Sequence, residues 1–188
     1  MHPLAIMALT VQLVAATSYL PLQPPPGQRV TDQTLAPVLA KADKTNWAAV
    51  LGTYVRFCQT SAQPQYYVDC LSERFAYTAS RMDPYNRGTA DLRKVLQTAA
   101  RDLSAITARY HTQDAGKATP HAANITPTRA LRAIAPQNRA AASAAGTQVL
   151  DTAQLVLLRS ADRDPTQALA FAQVAEVIGT AKVLLRSA

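Results

Sequence analysis

The stretch Asp91–Tyr110, DLRKVLQTAARDLSAITARY, decides the fold class. Its apolar side chains Leu92, Val95, Leu96, Ala99, Leu103, Ile106 and Tyr110 recur at steps of three and four, the spacing that lines one face of an α-helix. Upstream, Asp83-Pro84-Tyr85-Asn86-Arg87-Gly88 joins residues that favour turns or forbid helix, so a long helix starts after it with Thr89 or Asp91 as cap. It ends near His111, because Gly116 and Pro120 keep it from continuing.

The same reading extends outward in both directions. Trp47, Val50, Leu51, Tyr54, Val55 and Cys58 form the apolar stripe of a helix over residues 45–58, and Val68, Leu71, Phe75 and Met82 mark the next. Further upstream, a short helix is expected from Thr34, with Pro37 tolerated in its first turn. Thr112 to Pro127 reads as a long polar surface loop. Thr126-Pro127 then suits the cap and first turn of a short helix through Leu131 and Ile134, stopped by Pro136. The Ala-rich run Arg139–Ala145 leads into a helix carrying Val149, Leu150, Ala153, Leu157 and Leu158, with Gly146 as its weak point. Asp164-Pro165 opens a last helix whose core side holds Leu169, Ala172, Val174, Val177, Ile178, Ala181 and Leu185. No segment alternates at period two, so no sheet is expected. The pattern predicts an all-α bundle of about five or six helices.

Composition supports that class. The chain has 188 residues, 48% of them apolar, which suits one domain with its own core. With three Phe and one Trp, Ala, Leu and Val must supply most of the buried surface, and Ala and Leu are helix formers. The net charge of +7 favours anionic partners but decides nothing about the fold.

The N-terminus reads as an address. Leu4 to Ala16 is an apolar run, and Val14-Ala15-Ala16 offers a signal-peptidase site after Ala16, although the segment before it lacks the usual Lys or Arg. Thr10 and Gln12 interrupt a run already shorter than the roughly 20 residues a membrane span needs. The expected organisation is a signal peptide over 1–16, a Pro-rich linker over 17–30 containing Pro21-Leu22-Gln23-Pro24-Pro25-Pro26, and one helical domain over 31–188. That implies a periplasmic or secreted protein with no membrane span in the mature chain; anchoring by an uncleaved N-terminal segment is the alternative. An oxidising compartment would suit Cys58 and Cys70, the only cysteines, which sit near the end of one predicted helix and the start of the next. A disulfide between them would staple a short loop. Two Cys without a nearby His make no zinc site, and no metal or cofactor is implied.

The hexapeptide VLLRSA occurs twice, at Val156–Ala161 and Val183–Ala188. Both copies read as helix endings that bury two Leu and set an Arg in the last turn, against the negative end of the helix dipole. A functional reading would bring Arg159 and Arg186 together around one anion.

Catalytic motifs are sparse. No G-x-S-x-G, P-loop, G-x-G-x-x-G or H-E-x-x-H is present. Asp69 and Glu73 share a helix face, with Arg74 and Asp102 near enough to suggest a solvated surface. Between Asp114 and Asp151 there is no acid, yet Lys117, Arg129, Arg132 and Arg139 lie there with His121, a positive region suited to an anionic surface. Nucleic acid is disfavoured, since no aromatics interleave with these cations. Asn124-Ile125-Thr126 matches a glycosylation sequon, followed by Pro127. The expectation is an exported, non-catalytic helical protein acting as an envelope interaction or structural module, with an envelope protein or anionic surface as partner. The alternatives are a small hydrolase-like enzyme using His111 or His121, and an accessory factor binding anions through the four cations.

Overall fold

The structure, a computed structural model, describes residues 46–188 apart from 115 and 123. The expected leader, the Pro-rich linker and the helix from Thr34 lie outside the described residues. Within them the chain forms five α-helices: α1 (Trp47–Ser61), α2 (Tyr67–Arg81), α3 (Arg87–Tyr110), α4 (Arg139–Arg163) and α5 (Ala168–Arg186). Short 3-10 turns at Pro64–Tyr66 and Pro136–Asn138 lead into α2 and α4.

The helices close on themselves. α1 packs on α2, α2 on α3, α3 on α4 and α4 on α5, and α5 returns to α1. α2 also reaches α4 and α5, so its first turns sit at the centre, and every residue from Tyr66 to Phe75 is buried. The local causes are those the sequence announces. Asn46 caps α1 by accepting the Ala49 N–H at 3.0 Å. In α3, Leu92, Val95, Leu96, Ala99 and Leu103 are buried as their spacing predicts. Cys58 and Cys70 form the disulfide, with twelve residues of separation, and tie the last turn of α1 to the first turn of α2.

Several expectations are corrected. Thr126–Ile134 is not a helix but extended chain, and it supplies a strand to a two-residue antiparallel ladder in which β1 (Lys117–Ala118) pairs with β2 (Leu131–Arg132). The cause is competition for backbone donors: Thr128 N–H goes to Glu73 and Arg132 N–H to Asp69, and Ile134 N–H goes to Gln65 O at 2.9 Å. Local helix bonds lose to these tertiary acceptors. The described residues between 112 and 135 therefore form a strap laid over α2, fixed at its ends by Thr112 N–H to Ala133 O and Ala135 N–H to Tyr110 O.

Gly146 is not a weak point either. α4 runs unbroken through it, and a Cβ there would lie 2.8 Å from Leu185 Cδ1 and 3.4 Å from Leu103 Cδ2, where α3, α4 and α5 converge. Asp164 and Pro165 make a turn rather than a helix start: Asp164 Oδ1 accepts the Thr166 N–H at 3.0 Å, and α5 begins at Ala168. Leu169, Ala172 and Leu158, expected at the core, are exposed. Only the second VLLRSA copy ends a helix. α4 continues past Arg159 to Arg163, whereas Arg186 closes α5; both arginines are exposed.

α5 is long and apolar enough to cross a membrane, with a mean hydropathy of 1.6. Here it is a wall of the bundle, burying Phe171, Val174, Ile178 and Leu185. A core helix passes the same test.

Two stability measurements check this account. Replacing both cysteines by Ala should lower urea-unfolding stability by about 3 kcal/mol, the loop-entropy value for a closure of this length. Gly146→Val should also destabilise, by about 1–3 kcal/mol, because the added methyls meet packed Leu side chains. A neutral or stabilising result would mean that the three helices have room to part.

Candidate functional site

The first turns of α2 carry three charged side chains into the interior: Asp69 is 0% exposed, Glu73 4% and Arg74 2%. This overturns the expectation of a solvated face. Ionised groups persist at such depth only when paired and hydrogen-bonded, and the strap supplies the partners.

Asp69 accepts from two arginines. Arg129 reaches it with both terminal nitrogens, Nη2 to Oδ1 at 2.9 Å. Arg132 donates its backbone N–H to Oδ2 at 2.8 Å and its Nη2 to Oδ1 at 2.8 Å, while the same nitrogen also reaches Ser104 Oγ on α3. Burial by itself would raise the Asp69 pKa, but the hydrogen bonds from Arg129 and Arg132 outweigh it and hold the carboxyl below its ordinary value. Reciprocally, the bond to Asp69 raises Arg129.

Glu73 and Arg74 form a second unit one turn along. Arg74 binds Glu73 through Nε and Nη2, and Thr128 donates both N–H (2.9 Å) and hydroxyl (2.8 Å) to Glu73 Oε1. Arg74 Nη2 also donates to Thr126 O. Its guanidinium lies 5.1 Å from the Tyr54 ring centre and 4.9 Å from that of Tyr77, and these two rings meet edge to face at 5.7 Å. Burial, followed by the neighbouring Tyr77, pushes the Tyr54 hydroxyl pKa up.

This second unit builds the wall of an open groove of about 1190 Å³. Trp47, Tyr54 and Tyr77 form its aromatic side, Thr126 and Thr128 of the strap form a lip, and Arg81 and Asp83 stand at the rim, with Phe171 of α5 lining it as well. Aromatic surface beside a few oriented polar groups is the usual make-up of a binding site. The strap's lip is thus held by buried charge on α2, which fixes the groove's shape.

The four predicted cations do not form one free cluster. Lys117 stands opposite Arg132 across the ladder, Arg129 and Arg132 are bound to Asp69, and Arg139 starts α4. The structure therefore brings together three of the four, and two of these already hold a carboxylate. His111 Nδ1 contacts Ala108 O, His121 Nδ1 contacts Thr126 Oγ1, and both rings are exposed; neither is ion-paired to an acid among the described residues. Asn124 of the sequon adopts a left-handed φ of 64° in the turn between Ala122 and Ile125. No group of three His, Cys, Asp or Glu that could hold a metal occurs among the described residues.

Sequence reasoning missed Glu73, Arg74, Thr128 and the aromatic wall. A signal was present: Asp69 and Glu73 sit among Val68, Cys70, Leu71 and Phe75, while the segment 115–150 carries cations with no local acid to pair them.

The two sides of the Asp69 cluster should differ on mutation. Arg129→Leu/Arg132→Leu strands a buried carboxylate and should cost about 3–5 kcal/mol, whereas Asp69→Asn leaves two arginines that can reach water and should cost less. Because folding lowers the Asp69 pKa, its contribution is complete above the unfolded value near 3.8 and is lost as pH falls below it through the folded value. Urea titrations between pH 6 and pH 2 should show a drop on the acid side that Asp69→Asn flattens; parallel curves would contradict the assignment.

No family model matches the chain, and comparison with curated proteins and with solved structures gives no match either.

Proposed function

We propose that this chain is an exported helical protein that works without catalysis as an interaction module of the cell envelope, taking its partner in the groove walled by Trp47, Tyr54 and Tyr77. The observation that carries the reading is the Glu73–Arg74 unit. It sets a buried ion pair behind an open groove, fastens the lip at Thr126 and Thr128, and orients the aromatic rings. A wall fixed in advance loses little entropy when a partner arrives. The disulfide supports maturation in an oxidising compartment, periplasmic or extracellular.

Trp47 is the only tryptophan in the chain and lines the groove, so its emission reports occupancy directly. Envelope extract fractionated over the immobilised protein should yield a component that shifts this emission. Binding should weaken tenfold or more in Thr126→Phe, which crowds the lip without adding a second tryptophan, and in Arg81→Glu at the rim. A component that binds both variants as well as the unaltered chain would remove the groove from the account. Export has its own check, by mass spectrometry of the protein from fractionated cells. A chain beginning after Ala16 with the two sulfurs joined is expected; intact Met1 with free thiols in the cytosol would overturn it.

A further inference from the structure

Two donors in the wall of the aromatic groove have no partner. Arg74, 2% exposed, spends Nε and Nη2 on Glu73 and on Thr126 O, which leaves Nη1 without an acceptor among the described residues. Tyr54, 8% exposed, makes no hydrogen bond through its hydroxyl among them either. The side-chain nitrogen or oxygen that is fully enclosed without a partner, among the described residues, is Arg93 Nε. Arg74 Nη1 and Tyr54 Oη are therefore not sealed in; they open on the groove that both residues line. Burial, followed by the neighbouring Tyr77, raises the Tyr54 pKa, so the hydroxyl keeps its proton and can donate. Interior donors left idle are costly, and an occupant that brings oxygen acceptors relieves that cost.

The charges decide what kind of acceptor fits. Glu73 already neutralises Arg74, and Arg81 and Asp83 bring one charge of each sign to the rim. The wall thus calls for lone pairs without net charge, as an amide carbonyl offers. Around the opening Asn124, Gln167 and Gln173 add side-chain amides, each able to donate and accept as a sugar hydroxyl does. An extended peptide fits less well. Ile125 spends its N–H and C=O on Ala122, Thr126 its C=O on Arg74 and Thr128 its N–H on Glu73, so the lip has no run of open backbone groups for a strand to join.

We infer that the groove binds an N-acetylated oligosaccharide, with an acetamido carbonyl on Arg74 Nη1 and Tyr54 Oη and the C–H face of a pyranose on the Trp47 ring. The inference rests on the groove being the binding site and names its occupant.

Calorimetric titration of the full chain with N,N′,N″-triacetylchitotriose and with cellotriose, which carries hydroxyls in place of the acetamido groups, separates the carbonyl from the sugar ring. The acetylated trimer should bind at least tenfold tighter. Tyr54→Phe removes only the idle hydroxyl, so it should fold as before and weaken the acetylated trimer about fivefold while leaving cellotriose unchanged. Trp47→Ala should weaken both. Equal affinity for the two trimers, or full affinity for the acetylated one in Tyr54→Phe, would overturn the assignment. Protease treatment of the envelope component that shifts Trp47 emission should leave that shift intact; its loss would give the groove to a peptide. If neither trimer binds while the envelope component still shifts the emission, the saccharide is wrong and the groove stands. If the acetylated trimer binds Thr126→Phe undiminished, sugar and groove are both wrong.

Discussion

The constraint on which the rest depends is that α2 carries ionised side chains into the centre of the bundle. Asp69 and Glu73 lie where water does not reach, and leaving either unpaired would cost several kcal/mol, comparable with the whole stability of a domain. Neither finds its full set of partners on its own helix. Arg74 meets Glu73, but the remaining lone pairs are filled by the strap through Thr128, Arg129 and Arg132. The strap therefore cannot take the helical path its own residues would favour. Its backbone donors are needed elsewhere.

From this pairing the rest of the molecule's surface takes shape. Holding the strap down covers the α2 face of the core with Ile125, Leu131 and Ile134. Fastening Thr126 and Thr128 sets one side of the aromatic groove, and the Arg74 guanidinium, with its charge met by Glu73, is available to stack on Tyr54 and Tyr77. The disulfide acts beside this network: Cys70 follows Asp69 directly, so the staple to Cys58 fixes the turn from which both carboxylates project.

Much of the architecture was legible in the chain, and unevenly so. α3 was the clearest because its period of three and four persists over many turns and its caps are explicit. α1 and α2 followed from shorter stripes, and the disulfide from its position between them. The strap was misread because Thr126-Pro127 is a sound local helix start, and local signals carry no trace of acceptors some sixty residues away in the chain. Asp69 and Glu73 were misread for a related reason. Charges at helical spacing are usually solvated, and their burial depends on what is laid over them.

By itself the sequence determined the five helices of the described residues, their order, the single staple and the surplus of cations between Asp114 and Asp151, because each follows from near-neighbour sterics, periodicity or composition. Tertiary structure alone decided which charges are interior, that residues 126–134 are extended, that Gly146 is a contact rather than a flaw, and where the groove opens. Those outcomes depend on free energies shared between segments distant in the chain. A buried carboxylate has no stable state until its partner arrives, and no local pattern records that arrival.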